Sequence, residues 1–269
     1  FYGMIENIDE NIGLLLEKLN EWKLMENTLI VFMSDNGMTG GGSGPEGKAL
    51  GQDENGSDMF RYNAGMKGLK GSTDEGGVRV PFFMRWDGKI KPNVKVDTIA
   101  AHFDIYPTLA TIAGAKIPMK QVEGRSLVPL IEDPKAAWED RFLFTHKARW
   151  ATGTEPDEQQ WINYGVRNAQ YRLVGPNGGG KKKKGAKEAA PKVLLFDILK
   201  DPTQKTDIAA QHPEIIKEMN EAYDKFWKET RPLMVNEETP MSETRPFHVW
   251  FEEQSKSEGG IPDWKKRDL

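Results

Sequence analysis

Leu29-Ile-Val-Phe-Met-Ser-Asp-Asn-Gly37 is an apolar run that stops abruptly on two oxygen-bearing side chains and a glycine. Its unbroken β-branched and aromatic character is typical of a strand buried on both faces. Asp35 and Asn36 would then lie just beyond the carboxyl end of that strand, which is the edge where open α/β sheets bind ligands. Their carboxylate and amide oxygens suit Ca²⁺ or Mg²⁺. The same tripeptide is also typical of a simple turn.

Length, charge and composition narrow the class of protein. With 269 residues, the chain is long enough for one large domain or for a domain with a smaller companion. A net charge of −4 argues against a nucleic-acid binder held by bulk electrostatics. The absence of cysteine excludes disulfides, thiolate metal ligands and a cysteine nucleophile from these residues. From the net charge we expect no nucleic-acid partner. No apolar run reaches transmembrane length, so we also expect no transmembrane segment.

The first half of the chain is typical of an α/β domain. Residues 2–22 repeat apolar side chains at helical spacing, which predicts an amphipathic helix that covers a sheet. Residues 78–86 and 94–99 predict further strands, and residues 104–114 predict a short helix with Pro near its first turn and Gly at its end. Because Phe1 stands directly before the helical pattern, we expect the chain to begin inside a larger protein.

After about residue 134 the pattern changes to short strands followed by one helix. Strands are predicted at 141–146, 161–167, 171–174 and 193–198, and a helix is predicted at 213–227. This order indicates a small antiparallel α+β subdomain.

The chain therefore divides into three predicted parts. Residues 1–135 form a portion of the α/β domain, residues 136–230 form the α+β subdomain, and residues 231–269 form an irregular tail. Four lysines at 181–184 fall in a low-complexity stretch, which predicts a disordered, solvated loop. Contact of this lysine run with an anionic polymer is the alternative.

A glycine-framed pair of lysines precedes the strand predicted at 78–86. Glycine lets the backbone approach a ligand closely, and the ammonium of Lys67 or Lys70 is a point charge suited to a tetrahedral oxyanion. A solvated basic loop is the other interpretation.

Glu75 is followed by two glycines, which predicts a tight buried turn where its carboxylate accepts backbone hydrogen bonds. Arg79 is assigned a structural role beside it.

Two further polar residues stand before the helix predicted at 104–114. Asp104 is a candidate side-chain cap for that helix, because Asp is favoured at the N-cap. His102 is predicted to be structural rather than catalytic.

Together these motifs resemble the carboxyl-terminal half of a sulfatase of the arylsulfatase type, in the alkaline phosphatase superfamily. The resemblance covers roughly residues 1–230, in the family's order. It is carried by Tyr2-Gly-Met-Ile-Glu-Asn-Ile-Asp-Glu-Asn-Ile-Gly13, Ser34-Asp-Asn-Gly37, Lys70-Gly-Ser-Thr-Asp-Glu-Gly-Gly-Val-Arg-Val-Pro81, Asp104-Ile-Tyr-Pro-Thr-Leu109, Gly124-Arg-Ser-Leu127, Val166-Arg-Asn-Ala-Gln-Tyr-Arg-Leu173 and Leu195-Phe-Asp-Ile-Leu-Lys-Asp-Pro202. The fold class that it implies is α/β, with part of an alkaline-phosphatase-like sheet flanked by helices and a small carboxyl-terminal α+β subdomain.

The resemblance also implies roles for individual residues. Asp35 and Asn36 match a pair of metal ligands, with Ca²⁺ expected ahead of Mg²⁺. Lys70 matches the catalytic lysine that binds the sulfate ester and neutralises the leaving oxygen. The family's nucleophile, a formylglycine made within Cys/Ser-x-Pro-x-Arg, has no counterpart here. The nearest string, Ser43-Gly-Pro-Glu-Gly47, has Gly in place of the required Arg.

The implied function is therefore that of a sulfuric ester hydrolase of which this chain is one fragment, inactive by itself. The expected partner is a sulfate ester, with a sulfated carbohydrate as one candidate, and the family resemblance implies a periplasmic or secreted location. His146 is a weak candidate for substrate binding. With Trp150 and Trp161 it could line a sugar-binding cleft, although core packing explains these rings equally well.

Two other functions stay open. A phosphonate or phosphodiester hydrolase of the same superfamily is one, although Asn36 after Asp35 favours calcium and sulfate over a zinc-binding His at that position. A non-catalytic protein that binds sulfated glycans through Lys67, Lys70 and the lysines at 181–184 is the other.

Overall fold

The computed structural model describes residues 2–39, 63–117, 121–151, 153–177, 192–234, 244–257 and 259–260. The four lysines at 181–184 and residues 40–62 lie outside these ranges. The described chain forms two regions. The first region is residues 2–132 and the second region is residues 141–230, and each has its own sheet.

The first region is built on a pair of antiparallel strands. Strand β1 (Ile30–Met33) pairs with β2 (Phe82–Arg85), with Ile30 opposite Arg85 and Met33 opposite Phe82. The prediction that this strand is buried on both faces is wrong, because Phe32 and Met33 are exposed in the described chain. Apolar content predicted the strand correctly but could not report which neighbours cover it.

Helix α1 (Tyr2–Glu21) forms as predicted, but most of its apolar stripe is exposed in the described structure. Met4 keeps 69% of its surface exposed, and Ile8 and Leu14 are exposed as well. The prediction that this helix covers a sheet is therefore wrong for the described residues. A 3.6-residue period identifies an amphipathic helix without naming the surface against which it packs.

Three short helices complete the first region: α2 (Glu75–Val78), α3 (Ile105–Ile112) and α4 (Val128–Glu132). Helix α3 lies where the sequence predicts it and ends before Gly114, which has a φ of +63°. The strand predicted at 94–99 is absent, and this segment runs without regular structure.

The second region is a four-stranded antiparallel sheet covered by one helix. Its strands are β3 (Leu143–His146), β4 (Tyr164–Arg167), β5 (Tyr171–Val174) and β6 (Leu194–Asp197), and they lie side by side in chain order. Helix α5 (Pro213–Thr230) follows them. The predicted combination of an antiparallel sheet and a helix is confirmed here.

The main core of the described chain lies between this sheet and α5. Its buried members are Tyr164, Val166, Leu173, Leu195, Met219, Tyr223 and Trp227. Alternate residues of the strands face the helix because successive strand side chains point to opposite faces. The ring of Tyr223 stacks on that of Tyr164, with 4.5 Å between ring centroids. Within the described ranges, a cluster of buried apolar side chains thus occurs in the second region and not in the first.

The predicted irregular tail contains regular structure. A single 3₁₀ turn spans Arg231–Leu233, and helix α6 spans Pro246–Lys256 with its apolar side chains exposed. The assignment of residues 231–269 as irregular is therefore wrong where the chain is described. The 246–256 segment lacks the strong apolar period that would have indicated a helix from sequence.

Candidate active site

Asp35 and Asn36 lie one residue beyond the end of β1, in a short turn held by the side chains of Ser34 and His102. The Oγ of Ser34 donates to the carbonyl of Asn36 at 3.0 Å. The carbonyl of Ser34 accepts a hydrogen bond from Nε2 of His102 at 2.8 Å. His102 therefore orients the peptide that leads into Asp35, in agreement with its predicted structural role.

Backbone contact between glycines joins this turn to the segment that carries Lys70. The N–H of Gly37 donates to the carbonyl of Gly77 at 3.0 Å, and the N–H of Lys70 donates to the carbonyl of Met38 at 2.9 Å. A Cβ at Gly37 would lie only 2.0 Å from the carbonyl oxygen of Gly76, so no other residue fits there without movement. Two segments more than thirty residues apart are thereby held as neighbours through their main chains.

The segment from 63 to 79, called here the Lys70 loop, is cross-linked internally. The buried Asn63 donates through Nδ2 to the carbonyls of Met66 at 3.1 Å and Gly68 at 3.0 Å. The N–H of Gly76 donates to the carbonyl of Lys67 at 2.7 Å. This density of hydrogen bonds gives the loop one conformation, which is what a site that must hold an anion in place requires.

The two lysines of the loop differ in their surroundings. The ammonium of Lys67 lies 3.5 Å from the carboxylate of Asp74 and 4.9 Å from the ring centroid of Phe196. Lys70 is exposed, and no described side chain pairs with its ammonium. The charge of Lys67 is thus largely satisfied within the protein, whereas that of Lys70 is free for a ligand.

A buried ion cluster ties the Lys70 loop to the second region. Glu75 Oε1 accepts from Nε of Arg167 at 2.7 Å and from Nε of Arg172 at 2.8 Å, and Arg172 Nη1 also donates to the carbonyl of Thr73 at 2.7 Å. The two arginines are cross-strand partners on β4 and β5. Like charges directly opposite each other destabilise a sheet, so the carboxylate between them is needed for both to be buried.

The charge state of Glu75 follows from this arrangement. Burial alone would raise the pKa of Glu75, but the charges of Arg172 and Arg167 and their hydrogen bonds outweigh burial and hold the pKa below its ordinary value of 4.5. Glu75 is therefore a carboxylate at neutral pH. Its main-chain N–H donates to Oε1 of Gln204 at 2.8 Å, which adds a further link to the second region.

The structure confirms a structural role for Glu75 but corrects its partners. The sequence prediction has the carboxylate accepting backbone hydrogen bonds, whereas guanidinium groups take that place. Arg79 is a more distant partner, since its Nη1 lies 4.0 Å from Glu75. The arginines were missed because they lie 92 and 97 residues away in the chain. Charged residues inside otherwise apolar strands were the available signal.

Asp104 likewise has a different role from the predicted helix cap. Its carboxylate makes no cap bond to α3; Oδ2 accepts from the N–H of Ala101 at 2.7 Å and Oδ1 from the N–H of Arg125 at 2.8 Å. The guanidinium of Arg141 binds both oxygens, with Nη1 at 2.9 Å from Oδ1. This ion pair, in which Asp104 is fully buried, is a second ionic link between the two regions.

His146 lies among aromatic side chains of the second region. Its ring centroid is 5.2 Å from that of Trp227 and 5.8 Å from that of Trp150, and its Nε2 bonds the carbonyl of Gln159 at 3.1 Å. Burial lowers the pKa of His146, against the effect of its backbone hydrogen bonds, which favours the neutral ring. Packing accounts for His146, and its weak assignment to substrate binding stays a prediction.

The chemistry of the two oxygen donors fits a hard divalent cation, but their number does not complete its coordination. Calcium takes six to eight oxygens, and Asp35 and Asn36 supply one carboxylate and one amide. Among the described residues, no group of three or more His, Cys, Asp or Glu side chains could hold a metal ion. Any metal bound here would need further ligands.

Comparison with known proteins identifies the class of this α/β chain. The family model described as "Sulfatase" matches residues 1–115, and the model described as "N-sulphoglucosamine sulphohydrolase, C-terminal" matches residues 70–229. The chain belongs to the sulfatase family.

Individual relatives agree with this assignment. The chain is 32% identical to the steryl-sulfatase of Homo sapiens over 83% of this chain and 39% of that relative. It is 29% identical to the N-acetylgalactosamine-6-O-sulfatase of Bacteroides thetaiotaomicron, over 81% of this chain and 40% of that relative. The chain therefore spans about two fifths of the length of these curated relatives.

A solved structure supports the predicted fold class. The crystal structure of Ps i-CgsB in complex with k-i-k-neocarrahexaose superimposes with a TM-score of 0.58 at 26% identity, covering 83% of this chain and 42% of that one. The predicted α/β class is confirmed. No described helix is both long enough and apolar enough to cross a membrane.

Proposed function

We propose that this chain is the carboxyl-terminal part of a metal-dependent sulfate ester hydrolase. The observation that carries the proposal is the pair of main-chain hydrogen bonds that joins the Asp35–Asn36 turn to the Lys70 loop. These bonds place two oxygen donors and Lys70 on neighbouring segments, and no described side chain pairs with the Lys70 ammonium. Membership of the sulfatase family supplies the reaction class, since the named relatives are sulfatases.

Each residue has a distinct part in this proposal. Asp35 and Asn36 would hold a Ca²⁺ ion, with Mg²⁺ the less favoured choice, and the ion would supply positive charge beside the sulfate. Lys70 binds the sulfate oxygens and neutralises the negative charge that develops on the leaving oxygen as the S–O bond breaks. The Glu75 cluster holds the loop so that this ammonium needs no rearrangement during the reaction.

The nucleophile would come from a segment beyond these 269 residues. We expect a formylglycine there, within a Cys/Ser-x-Pro-x-Arg motif, together with the remaining metal ligands. By itself the chain would bind a sulfate ester without cleaving it. A periplasmic or secreted location and a sulfated carbohydrate as substrate are part of the same proposal, and the oligosaccharide bound to Ps i-CgsB supports the latter.

Hydrolysis of an aryl sulfate by the longer protein tests this function. Lys70→Ala is expected to lower kcat by about 10²–10³-fold, the usual cost of losing one group that stabilises transition-state charge. Asp35→Ala is expected to lower bound metal and turnover together. Lys89→Ala, which removes another exposed lysine of the first region, serves as the control and should leave both unchanged.

Three results would contradict the proposal. Full turnover by the Lys70→Ala or Asp35→Ala protein would remove the assigned roles. Faster cleavage of a phosphodiester than of the sulfate ester would favour the phosphodiester hydrolase. A longer coding sequence without a Cys/Ser-x-Pro-x-Arg motif would favour the non-catalytic glycan-binding protein.

A further inference from the structure

Lys147 lies where the second region touches the Lys70 loop. It follows β3 directly, and its N–H donates to the carbonyl of Asn163 at 2.9 Å, which extends the pairing of β3 with β4 by one residue. On β4, a Cβ at Gly165 would lie 3.1 Å from Cβ of Thr73. The close approach of Gly165 to Thr73 sets the end of β3 against the Lys70 loop.

The side chain of Lys147 reaches the residue next to Lys70. Gly71 has a φ of +83°, and a Cβ built on it would lie 3.8 Å from both Cε and Nζ of Lys147. The neighbouring His146 packs among aromatic rings instead. Alternation along an extended chain explains why one of these residues faces the core and the other faces the loop.

The ammonium of Lys147 has no counter-ion within the described protein. Lys147 is exposed, and no described carboxylate pairs with it, in contrast to Lys67 and its partner Asp74. The Lys70 loop and the side chains that contact it carry six cations against two carboxylates. The cations are Lys67, Lys70, Arg79, Lys147, Arg167 and Arg172, and the carboxylates are Asp74 and Glu75.

This local excess of positive charge occurs in a chain whose net charge is −4. Such a concentration of one sign raises the local concentration of ligands of the other sign. A sulfate monoester carries a single negative charge, which the ammonium of Lys70 can already neutralise. One sulfate group therefore leaves the charge of Lys147 without a counter-charge from the substrate.

We propose that Lys147 is a specificity residue that binds a second oxyanionic group of the substrate, so that the preferred substrate is a carbohydrate with at least two negative charges. This inference rests on the proposed function, because it takes Lys70 as the site of the sulfate that is cleaved.

A titration of the ¹⁵N-labelled 269-residue chain tests the role of Lys147. Galactose 6-sulfate and a disulfated galactose are added separately, and dissociation constants are read from the amide signal of Gly71. Lys147→Ala is expected to raise the dissociation constant of the disulfated sugar about tenfold and to change that of the monosulfated sugar less than twofold. Lys147→Arg, which keeps the charge, should restore most of the lost affinity.

The other variants separate this inference from the proposed function. Lys70→Ala should weaken the binding of both sugars, and its failure to do so contradicts the proposed function. Lys225→Ala, an exposed lysine on α5, should change neither constant. The role of Lys147 is overturned if Lys147→Ala affects neither sugar, if it affects both equally, or if the unaltered chain binds neither.

Discussion

The two regions of this chain are stabilised in opposite ways. The second region closes an apolar core between a four-stranded sheet and α5, whereas the first leaves the apolar faces of α1, β1 and β2 exposed in the described structure. Yet the proposed active-site residues Asp35, Asn36 and Lys70 all belong to the first region. The difference suggests that the second region supplies rigidity and that buried ion pairs transmit it to the site.

Those ion pairs cross the predicted domain boundary at residue 135. Glu75 binds Arg167 and Arg172, and Asp104 binds Arg141. Leaving a single buried charge without its partner costs free energy. Each ion pair therefore resists separation, and with it the separation of the two regions. Two buried carboxylates of the first region are thus held by arginines of the second.

Removing the central carboxylate should give the largest loss of stability. Glu75→Ala would leave Arg167 and Arg172 as buried, uncompensated cations on adjacent strands, at a cost of about 3–5 kcal/mol in the free energy of unfolding. Urea denaturation followed by circular dichroism measures this loss. Glu139→Ala, at an exposed glutamate, is the control and should cost less than about 0.5 kcal/mol. An equal effect of the two variants would contradict the importance of the cluster.

A matched pair of methionines compares the two regions directly. Met219 on α5 is fully buried, whereas Met4 on α1 is largely exposed. Met219→Ala should lower the free energy of unfolding by about 2–5 kcal/mol, because it removes buried apolar volume and leaves a cavity. Met4→Ala should change it by less than about 0.5 kcal/mol. Equal losses in denaturant titrations would show that α1 is as well packed as α5.

The close packing of Gly76 inside the Lys70 loop predicts a smaller effect. A Cβ at Gly76 would lie 2.4 Å from Nδ2 of Asn63 and from the carbonyl oxygen of Gly68. Gly76→Ala should therefore cost about 1–3 kcal/mol through overpacking and shift the amide signals of Gly37 and Lys70.

The matching control is Gly13 on α1, where an added Cβ meets nothing within 4 Å. Because alanine is the better helix former, Gly13→Ala should stabilise the chain by about 0.5–1 kcal/mol. A Gly76→Ala protein with unchanged stability and unchanged amide signals would mean that Gly76 is not closely packed against Asn63 and Gly68.

The smallest expected effect is a difference between two pH profiles. The pKa of Glu75 is lower in the folded chain than its ordinary value of 4.5, because Arg172 and Arg167 stabilise the carboxylate against the cost of burial. Its contribution to stability is thus present above pH 4.5 and is lost as the pH falls through the folded pKa. The Glu75→Gln protein should not show this loss of stability at acid pH. The measurement is the change in the urea midpoint between pH 7 and pH 3. Parallel profiles would contradict the prediction.

Local patterns predicted the elements of this fold better than their environments. The strand at 171–174 and the helix α3 are read correctly from alternation and from Pro and Gly at helix ends. The exposure of α1 and β1 was not predictable, because periodicity reports which face is apolar but not what lies against it. The helix α6 was missed for lack of a strong apolar period.

For the candidate site, too, the sequence indicated residues in local motifs better than the contacts that surround them. Asp35, Asn36 and Lys70 were singled out because each stands in a short local motif, at a strand end or between glycines. The partners that hold the Lys70 loop through Glu75, namely Arg167, Arg172 and Gln204, come from distant parts of the chain. The charge of the two arginines within apolar strands was a local signal, but it did not indicate which carboxylate they bind. Their assigned chemical roles remain predictions for the experiments above.

The uncovered strand pair has a practical consequence. Strands β1 and β2 present Phe32, Met33 and Phe83 to solvent, on a sheet whose outer backbone groups have no described strand beside them. Short apolar segments of this kind template intermolecular pairing and aggregate at high concentration. Preparations of this chain alone will therefore keep longest when they are dilute and cold, and lysine substitutions at Phe83 offer a route to more soluble material.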